Sequence, residues 1–466
     1  MDYYSFSIYM VQNGNVIIMK NNLMTLRPYQ TSLSYEVRKA LSKNKSVLMC
    51  LPTGMGKTII ATDFAERSSK KGLVSVFLSD RKEILEQTAR AFNSHGIDYQ
   101  IITAQTKSID HCKCYIAMVE TFFRRYSKGW FDNINIDVII CDEAHMGNYK
   151  KVIKELHDKY IIGLTATPAS EGLNKLYKTI VRGPDVGWGN ENKFLVPSID
   201  IGQQHIFDLK KQNGEFTAAS QRVAFDEFSV NNVMFKLFTK HALNRQTIVF
   251  NIDIDHNNEV VELFKNNGIN AAAINSKMPT TERDKIVSLY RNGEIQVLCN
   301  VEIATKGFDN PETRCIILNR GTDSVMLYYQ MVGRGGRPCE GKENFVVIDM
   351  CNNILRHGSY NEGVDWKYLF ENNETKTKYT RPPLRLCPVC YAYIYNIHSL
   401  SCTVCKNPIS IKTLLHIESQ IPKELLNKPI GEMTMKELNM YGKYKGYKNP
   451  SGWAFHVMNN NRKFRK

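Results

Sequence analysis

Short apolar runs, each followed by a loop and a helix-length stretch, recur along most of this chain and constrain its fold more than any other feature. SVLMCL (46–51), VSVFLS (74–79), VIIC (138–141) and IIGLT (161–165) set the pattern. It lapses over 169–230 and returns with TIVFN (247–251), AAAIN (271–275), IQVLCN (295–300), RCIILN (314–319) and FVVID (345–349). Strands that are apolar throughout are buried on both faces, and strands alternating with helices build a parallel sheet covered on both sides. The chain is therefore expected to be an α/β protein with two parallel-sheet lobes in tandem. Its 466 residues suit two or three domains. Ahead of the lobes, residues 3–20 read as a β-hairpin turning at Asn13-Gly14, a favoured two-residue turn. A helix is expected from Pro28, which suits a first turn, to about Leu41. Ser79 or Asp80 is expected to cap the helix after the second strand. The expected divisions are an N-terminal hairpin (1–22), a first lobe (23–180), a connector (181–230), a second lobe (231–350) and a C-terminal region (351–466).

Between the first strand and its helix lies Leu51-Pro-Thr-Gly-Met-Gly-Lys-Thr58. In that context Thr53, Gly54, Gly56 and the neighbouring backbone N–H groups suit a phosphate cradle at a helix N-terminus. Lys57 would reach the β- and γ-phosphates, and the Thr58 hydroxyl would ligate Mg2+. The general formula has glycine where this chain has Leu51. Asp142-Glu143-Ala144-His145 follows the strand VIIC. A carboxylate at a strand end beside a phosphate loop can hold magnesium, which fits Asp142, and Glu143 can orient the attacking water. The bland reading of this pair is a solvated helix start. The second lobe ends with Gln330-Met-Val-Gly-Arg334-Gly-Gly-Arg337-Pro. Two arginines three apart on a helix share a face and can stabilise a transferring phosphoryl group from another domain; alone they would read as a basic helix cap.

The ordered set LRPYQ (26–30), PTGMGKT (52–58), DEAH (142–145), TATP (165–168), TKGFDNP (305–311) and QMVGRGGRP (330–338) resembles the DExH branch of the superfamily 2 helicases over about residues 23–350. LRPYQ and IVRGPDVGWGNENKFLVP (180–197) look most like DNA-directed members, among them phage-encoded fork-remodelling helicases and restriction or repair translocases. The resemblance implies two RecA-like lobes and an ATP-driven DNA helicase or translocase acting on forked or branched DNA. It implies that Gln30 with Arg27 reads the adenine and that Thr165 and Thr167 couple hydrolysis to movement. Gly307 and Asp309 would contact the nucleotide from the second lobe, while Gln330, Arg334 and Arg337 close on the γ-phosphate. His145 would link the lobes rather than bind a metal. Arg81, Lys82, Thr121, Thr305 and Lys306 become candidate strand contacts, each of which could equally be an exposed polar residue.

The polar balance agrees. Formal net charge is +15, and residues 441–466 carry seven Lys/Arg, six aromatic residues and no acid. Lys445, Tyr447, Lys448 and Trp453 in that tail are candidates for phosphate contact and base stacking; the other reading packs the tail on the motor with its lysines in solvent. Cys387-Pro-Val-Cys390 and Cys402-Thr-Val-Cys405, with a short hairpin between them, have the spacing of a closed four-thiolate Zn2+ site (387–405). An iron–sulfur cluster or a redox pair is the alternative. The other eight of twelve cysteines are scattered, with Cys50, Cys141, Cys299 and Cys315 in apolar runs as small buried hydrophobes. His111-Cys112-Lys-Cys114 lacks a partner pair and reads as incidental.

No apolar run reaches the ~18 residues of a bilayer span, and the first residues lack the basic and apolar parts of a signal peptide. A cytoplasmic monomer without membrane contact is expected, and its compactness is compatible with a phage or plasmid origin. Three rivals stand beside this reading: an RNA helicase, a nucleotide-gated scaffold that no longer hydrolyses ATP, and a motor subunit that only translocates duplex without separating strands. Lys57, Asp142, Glu143, Gln330, Arg334 and Arg337 together argue against the second.

Overall fold

A computed structural model describes residues 7–12, 15–20, 26–145, 147–203, 207, 209–227, 229–301, 310–375, 385–396 and 399–409, with short stretches at 430–434, 437–438, 441 and 457–458. The first strands, β1 (Ser7–Gln12) and β2 (Asn15–Lys20), pair antiparallel with Gln12 opposite Asn15, so they flank Asn13-Gly14.

Two parallel sheets follow. The first has seven strands: β3 (Ser46–Cys50), β4 (Ser75–Ser79), β5 (Tyr99–Ile102), β6 (Cys114–Met118), β7 (Val138–Cys141), β8 (Tyr160–Thr165) and β9 (Thr179–Arg182), in spatial order β5-β6-β4-β7-β8-β3-β9. The second contains β10 (Ser198–Gly202), then, beyond the small hairpin β11 (Lys211–Gln212) and β12 (Glu215–Phe216), β13 (Thr247–Phe250), β14 (Ala271–Ile274), β15 (Val297–Asn300), β16 (Cys315–Leu318) and β17 (Phe345–Asp349). Its order is β10-β17-β16-β13-β15-β14. The central strands are buried along their whole length, as β3, β4, β7, β13, β16 and β17 show. That is the physical reason their sequences read as unbroken apolar runs. The thiols of Cys50, Cys141 and Cys315 lie wholly inside, where loss of water pushes each up to about 12.

Four strands went unread in the sequence: β5 and β6 of the first sheet, and the edge strands β9 and β10. The stretch 169–230 is not only a connection: β9 pairs with β3, and β10, within 181–230, pairs with β17. Thr-Ile-Val-Arg and Ser-Ile-Asp-Ile-Gly intersperse polar residues because an edge strand meets a neighbour on one side only.

Helix α1 (Pro28–Leu41) begins at the proline, and α2 (Lys57–Lys70) begins at the lysine of the phosphate-type loop. Helix α3 (Lys82–Ser94) has Arg81, not Ser79 or Asp80, at its cap position. Ser79 still contributes, since its Oγ accepts from Arg81 N–H at 3.3 Å. The arginine pair departs from expectation too. The helix Val325–Val332 ends before it, and Arg334 and Arg337 lie in the turn that follows. Gly333, Gly335 and Gly336 disfavour continuing the helix, and a Cβ on Gly335 would fall inside the Phe345 ring.

Beyond β17 the chain returns across both lobes. Asn361 exchanges hydrogen bonds with Ser198 N and O, both at 2.9 Å. Arg182 pairs with Asp365 at 3.0 Å, and Asn373 Oδ1 accepts from Gly172 N–H at 2.7 Å. Residues through Arg381 form one compact unit, and Pro382–Lys466 form another. In the second unit β18 (Arg385–Leu386) and β19 (Tyr393–Ile394) pair around the first cysteine pair, and a Ser401–Pro408 bridge encloses the second. Each pair therefore tips its own small hairpin, instead of one hairpin lying between the pairs. Among the described residues, no helix is long and apolar enough to cross a membrane.

Candidate active site between the lobes

The strands β3 and β7 end on the same edge of the first sheet, which brings their loops together. After β3 the chain turns through Gly54 and Gly56, both in the left-handed region with φ of 88° and 84°. At Gly56 glycine is required twice over, because a Cβ there would also overlap the Gln30 amide. Gln30 and Tyr29 hold this loop from α1: Gln30 Nε2 and Tyr29 Oη donate to Met55 O at 3.1 and 2.9 Å. Gln30 Oε1 in turn accepts from Arg27 N–H at 2.9 Å. Lys57 Nζ donates to Leu51 O at 3.3 Å, back across the loop's opening residue. Thr53 and Thr58 are partly exposed beside it.

After β7, Asp142 is buried and Glu143 adopts a left-handed backbone, φ 46°, at a cost on the order of 1 kcal/mol for a residue with a Cβ. The carbonyls of Leu78 and Asp142 are bridged by the hydroxyl of buried Tyr149, which bolts the ends of β4 and β7 together. Burial, reinforced by Glu143 alongside, pushes the Asp142 carboxyl above its usual range. For Glu143 burial acts the same way, but His145, Lys57, Arg334 and Arg81 outweigh it and hold the carboxyl below its usual range. Thr58 and Asp142 are hard oxygen donors, and Asp142 is a buried acid that a divalent cation would neutralise. The pair fits magnesium.

The second lobe completes the arrangement. His145 Nδ1 lies 2.9 Å from Thr165 Oγ1 and 3.4 Å from Glu143 Oε2. On the ring's other side, Gln330 Nε2 lies 3.1 Å from His145 Nε2 and 3.3 Å from Thr167 Oγ1. With the Gln330 amide as donor, Nε2 of the ring accepts and its proton sits on Nδ1, facing Thr165 and Glu143. Arg334 is buried and Arg337 partly so. Loss of water lowers both guanidinium groups to about 10, which leaves them cationic at neutral pH.

The candidate strand contacts are less uniform. Arg81 is turned toward Asp80, 3.4 Å away, and its charge acts on both Glu143 and Arg334. Lys82 is exposed and 3.7 Å from Glu86, while Thr121 is half-buried on the helix Val119–Tyr126. Thr305, Lys306, Gly307 and Asp309, like Lys445, Tyr447, Lys448 and Trp453, lie outside the described residues. Motif reading missed several participants. Tyr29 and Tyr149 are two. Lys342 is a third: its Nζ caps Pro311 O, Thr313 O and Arg337 O at 2.8, 2.6 and 2.8 Å, pinning the chain beyond the arginine turn. The connector is the fourth, since Val196 N–H donates to Gly336 O at 2.9 Å. Tyr29, inside LRPYQ, and Val196, inside 180–197, lie in stretches that the resemblance had already singled out.

In the separate C-terminal unit, Cys387, Cys390, Cys402 and Cys405 place their sulfurs within 4.8 Å of one another. The closest pairs, Cys387–Cys405 and Cys390–Cys402, are at 3.6 and 3.5 Å. Four sulfurs at ~2.3 Å from a tetrahedral ion would stand about 3.8 Å apart, so the cluster fits. Backbone N–H groups of Cys390 and Cys405 approach Cys387 Sγ and Cys402 Sγ at 3.5 Å, and the residues after each pair, Tyr391 and Lys406, take φ of 63° and 60°. The Asn407 N–H draws the Cys405 thiol down to about 7. Burial raises Cys387 and Cys390.

Family models match at two places: the type III restriction enzyme res subunit over residues 23–170 and the helicase conserved C-terminal domain over 229–339. A 51.5 kDa protein of a Lactococcus phage is 28% identical over 394 residues, covering 81% of each chain. A Saccharomyces cerevisiae protein with the provisional name ATP-dependent helicase IRC3 is 28% identical over 74% of this chain, which spans 54% of its length. In architecture, the ATP-dependent type ISP restriction-modification enzyme LlaBIII, solved bound to DNA, superposes with a TM-score of 0.54 at 16% identity, over 78% of this chain and 30% of that one.

Proposed function

Since the chain belongs to superfamily 2 of the helicases and is an ATP-hydrolysing enzyme acting on nucleic acid, we propose that its track is DNA and that it unwinds or remodels forked or branched DNA. The reading rests above all on the contact between His145 of the first lobe and Gln330 of the second, 3.1 Å apart, which joins the carboxylate side of the site to the arginine side.

Each residue takes a role from its place. Gln30 and Arg27 receive the adenine. The loop from Thr53 through Gly54 and Gly56 cradles the phosphates, and Lys57 leaves Leu51 O to meet them. Thr58 and Asp142 would hold magnesium, which would supply charge neutralisation at the phosphates. Glu143 orients and polarises the attacking water, and its lowered basicity keeps it ionised at neutral pH. Arg334 and Arg337 offer cations to the charge that builds on the γ-phosphoryl oxygens, with Gly307 and Asp309 assigned to the nucleotide from the same lobe. Because the groups come from two lobes, bound ATP favours the closed cleft and hydrolysis releases it. Thr165 and Thr167 share hydrogen bonds with the His145–Gln330 pair, so they register the change in the first lobe. All of these groups come from one chain, which supports a monomer as the working unit. The domain limits proposed are those of the sequence reading, except that β10, inside the connector 181–230, joins the sheet of the second lobe.

DNA is favoured over RNA by LRPYQ, by the acid-free tail 441–466, and by relatives such as the Pyricularia oryzae protein named ATP-dependent DNA helicase MPH1. In the tail, Lys445 and Lys448 would meet phosphates and Tyr447 and Trp453 would stack on bases. Thr121, Lys82, Thr305 and Lys306 are proposed along the strand's path; Arg81 shares that path at the edge nearest Glu143. We assign zinc to the four cysteines as a closed structural site.

The test is ATP turnover on single-stranded, duplex, forked and four-way DNA and on RNA, with Lys57→Ala as the blank. Forks or junctions are expected to stimulate most. Stimulation by RNA alone would overturn the DNA assignment and leave the motor intact.

A further inference from the structure

Three consecutive connector residues, Phe194, Leu195 and Val196, each touch a different part of the nucleotide site. The Arg27 guanidinium carbon lies 4.6 Å from the centroid of the Phe194 ring. That ring stacks on Trp188 at 5.5 Å, and Tyr29 leans against both, at 4.9 Å from Phe194 and 5.4 Å from Trp188. Leu195 reaches the phosphate loop: a methyl built on Gly54 would stand 3.2 Å from Leu195 Cδ2 and 3.2 Å from Arg337 Cγ. Val196 N–H donates to Gly336 O, between the two arginines. The stretch is stiff, because the N–H groups of Phe194 and Leu195 both donate to Gly189 O, at 2.8 and 3.0 Å.

Arg27 is exposed, although Phe194 supports one side of it. An arginine free to sweep through solvent would forfeit side-chain entropy each time it engaged a base. A guanidinium resting on an aromatic ring has spent part of that entropy already, and its other face can stack on a second planar group.

We infer that Phe194 is a positioning residue for purine recognition, holding Arg27 so that its open face meets the base, and that Leu195 and Val196 tie this placement to the phosphate loop and the arginine turn. The inference rests on the ATPase reading above and adds the connector as a third component of the site.

Steady-state hydrolysis of ATP and of UTP by the full chain on saturating DNA tests it, comparing wild type with Phe194→Leu, Phe194→Trp, Arg27→Ala and the Phe194→Leu/Arg27→Ala double variant. An exposed cation–π contact contributes about 0.5–1 kcal/mol, so the ATP:UTP ratio of kcat/KM is expected to fall roughly two- to fivefold in Phe194→Leu. Phe194→Trp restores the ratio, and the double variant is no less selective than Arg27→Ala alone. Arg27→Ala removes an exposed side chain and leaves the core untouched, so it reports even if Phe194→Leu folds poorly. Equal losses on ATP and UTP in Arg27→Ala, or additive losses in the double variant, would overturn the assignment. Neither result would touch the ATPase reading, which falls only if Lys57→Ala still turns over ATP at the wild-type rate.

Discussion

Lys57 and Glu143 carry opposite charge on the two loops proposed to meet the nucleotide, and their loss should fail in different ways. Lys57→Ala is expected to lose ATP turnover, through nucleotide binding and catalysis together. Glu143→Gln keeps size and hydrogen bonding, so it should bind ATP and stop hydrolysing it; substantial turnover by that variant would remove Glu143 from its role. A second residue-scale expectation concerns His256, which is fully buried, with Nε2 2.9 Å from Asn231 Oδ1 and its ring edge against Phe225. Burial, helped by Arg222, lowers it from 6.5 to about 4. A base with a depressed folded value contributes stability that is complete above 6.5 and lost as pH falls toward 4, here about 3 kcal/mol at most. The urea midpoint should therefore drop between pH 7 and pH 5 in wild type and less in His256→Gln; parallel drops would exclude His256 as the source. At this scale the sequence displayed Lys57, Thr58, Asp142 and Glu143 openly, because a strand, a glycine turn and a helix must follow one another in order. It concealed Tyr149 and Lys342, and gave Phe194 only as part of the stretch 180–197 with no role of its own, because their work depends on neighbours far away in the chain.

Burial on both faces made most strands legible, but not all: β6, buried inside the first sheet, was not read, while β14, at the edge of the second, was. The central strands β3, β7 and β16 announce themselves, whereas β9 and β10, at the sheet edges, do not. The arginine turn shows how a local rule can be overridden: spacing suggested one helical face, but three glycines end the helix and Phe345 occupies the room a side chain at Gly335 would need. Gly335→Ala should accordingly displace Arg334 and Arg337, at a cost of about 1–3 kcal/mol in stability. Its kcat should fall well below wild type while the KM for ATP changes little; an unchanged kcat would show that the turn tolerates the shift. The cysteine hairpins make a separate prediction. Cys387→Ser should lower the zinc content of the purified chain and loosen the 385–409 region, with nucleotide binding spared. Metal content equal to wild type would refute the four-ligand site.

For the whole molecule, charge is the quantity that matters on DNA. Removing 441–466 takes away seven Lys/Arg, so the DNA concentration for half-maximal stimulation should rise and its dependence on salt should become shallower. A truncated chain with the wild-type salt slope would place the tail off the DNA. A larger consequence follows from the two passages of the chain between the lobes. The connector runs forward through Val196, and the segment beyond β17 runs back through Asn361 and Asp365 to Asn373. One flexible tether leaves a body free to swing, twist and slide, whereas two passages laced to each other, as Asn361 is to Ser198, resist twisting and sliding and leave a swing as the easier motion. On the cycle proposed above, ATP would close a door hung on one broad hinge, whose direction of travel the chain sets before any nucleic acid is bound.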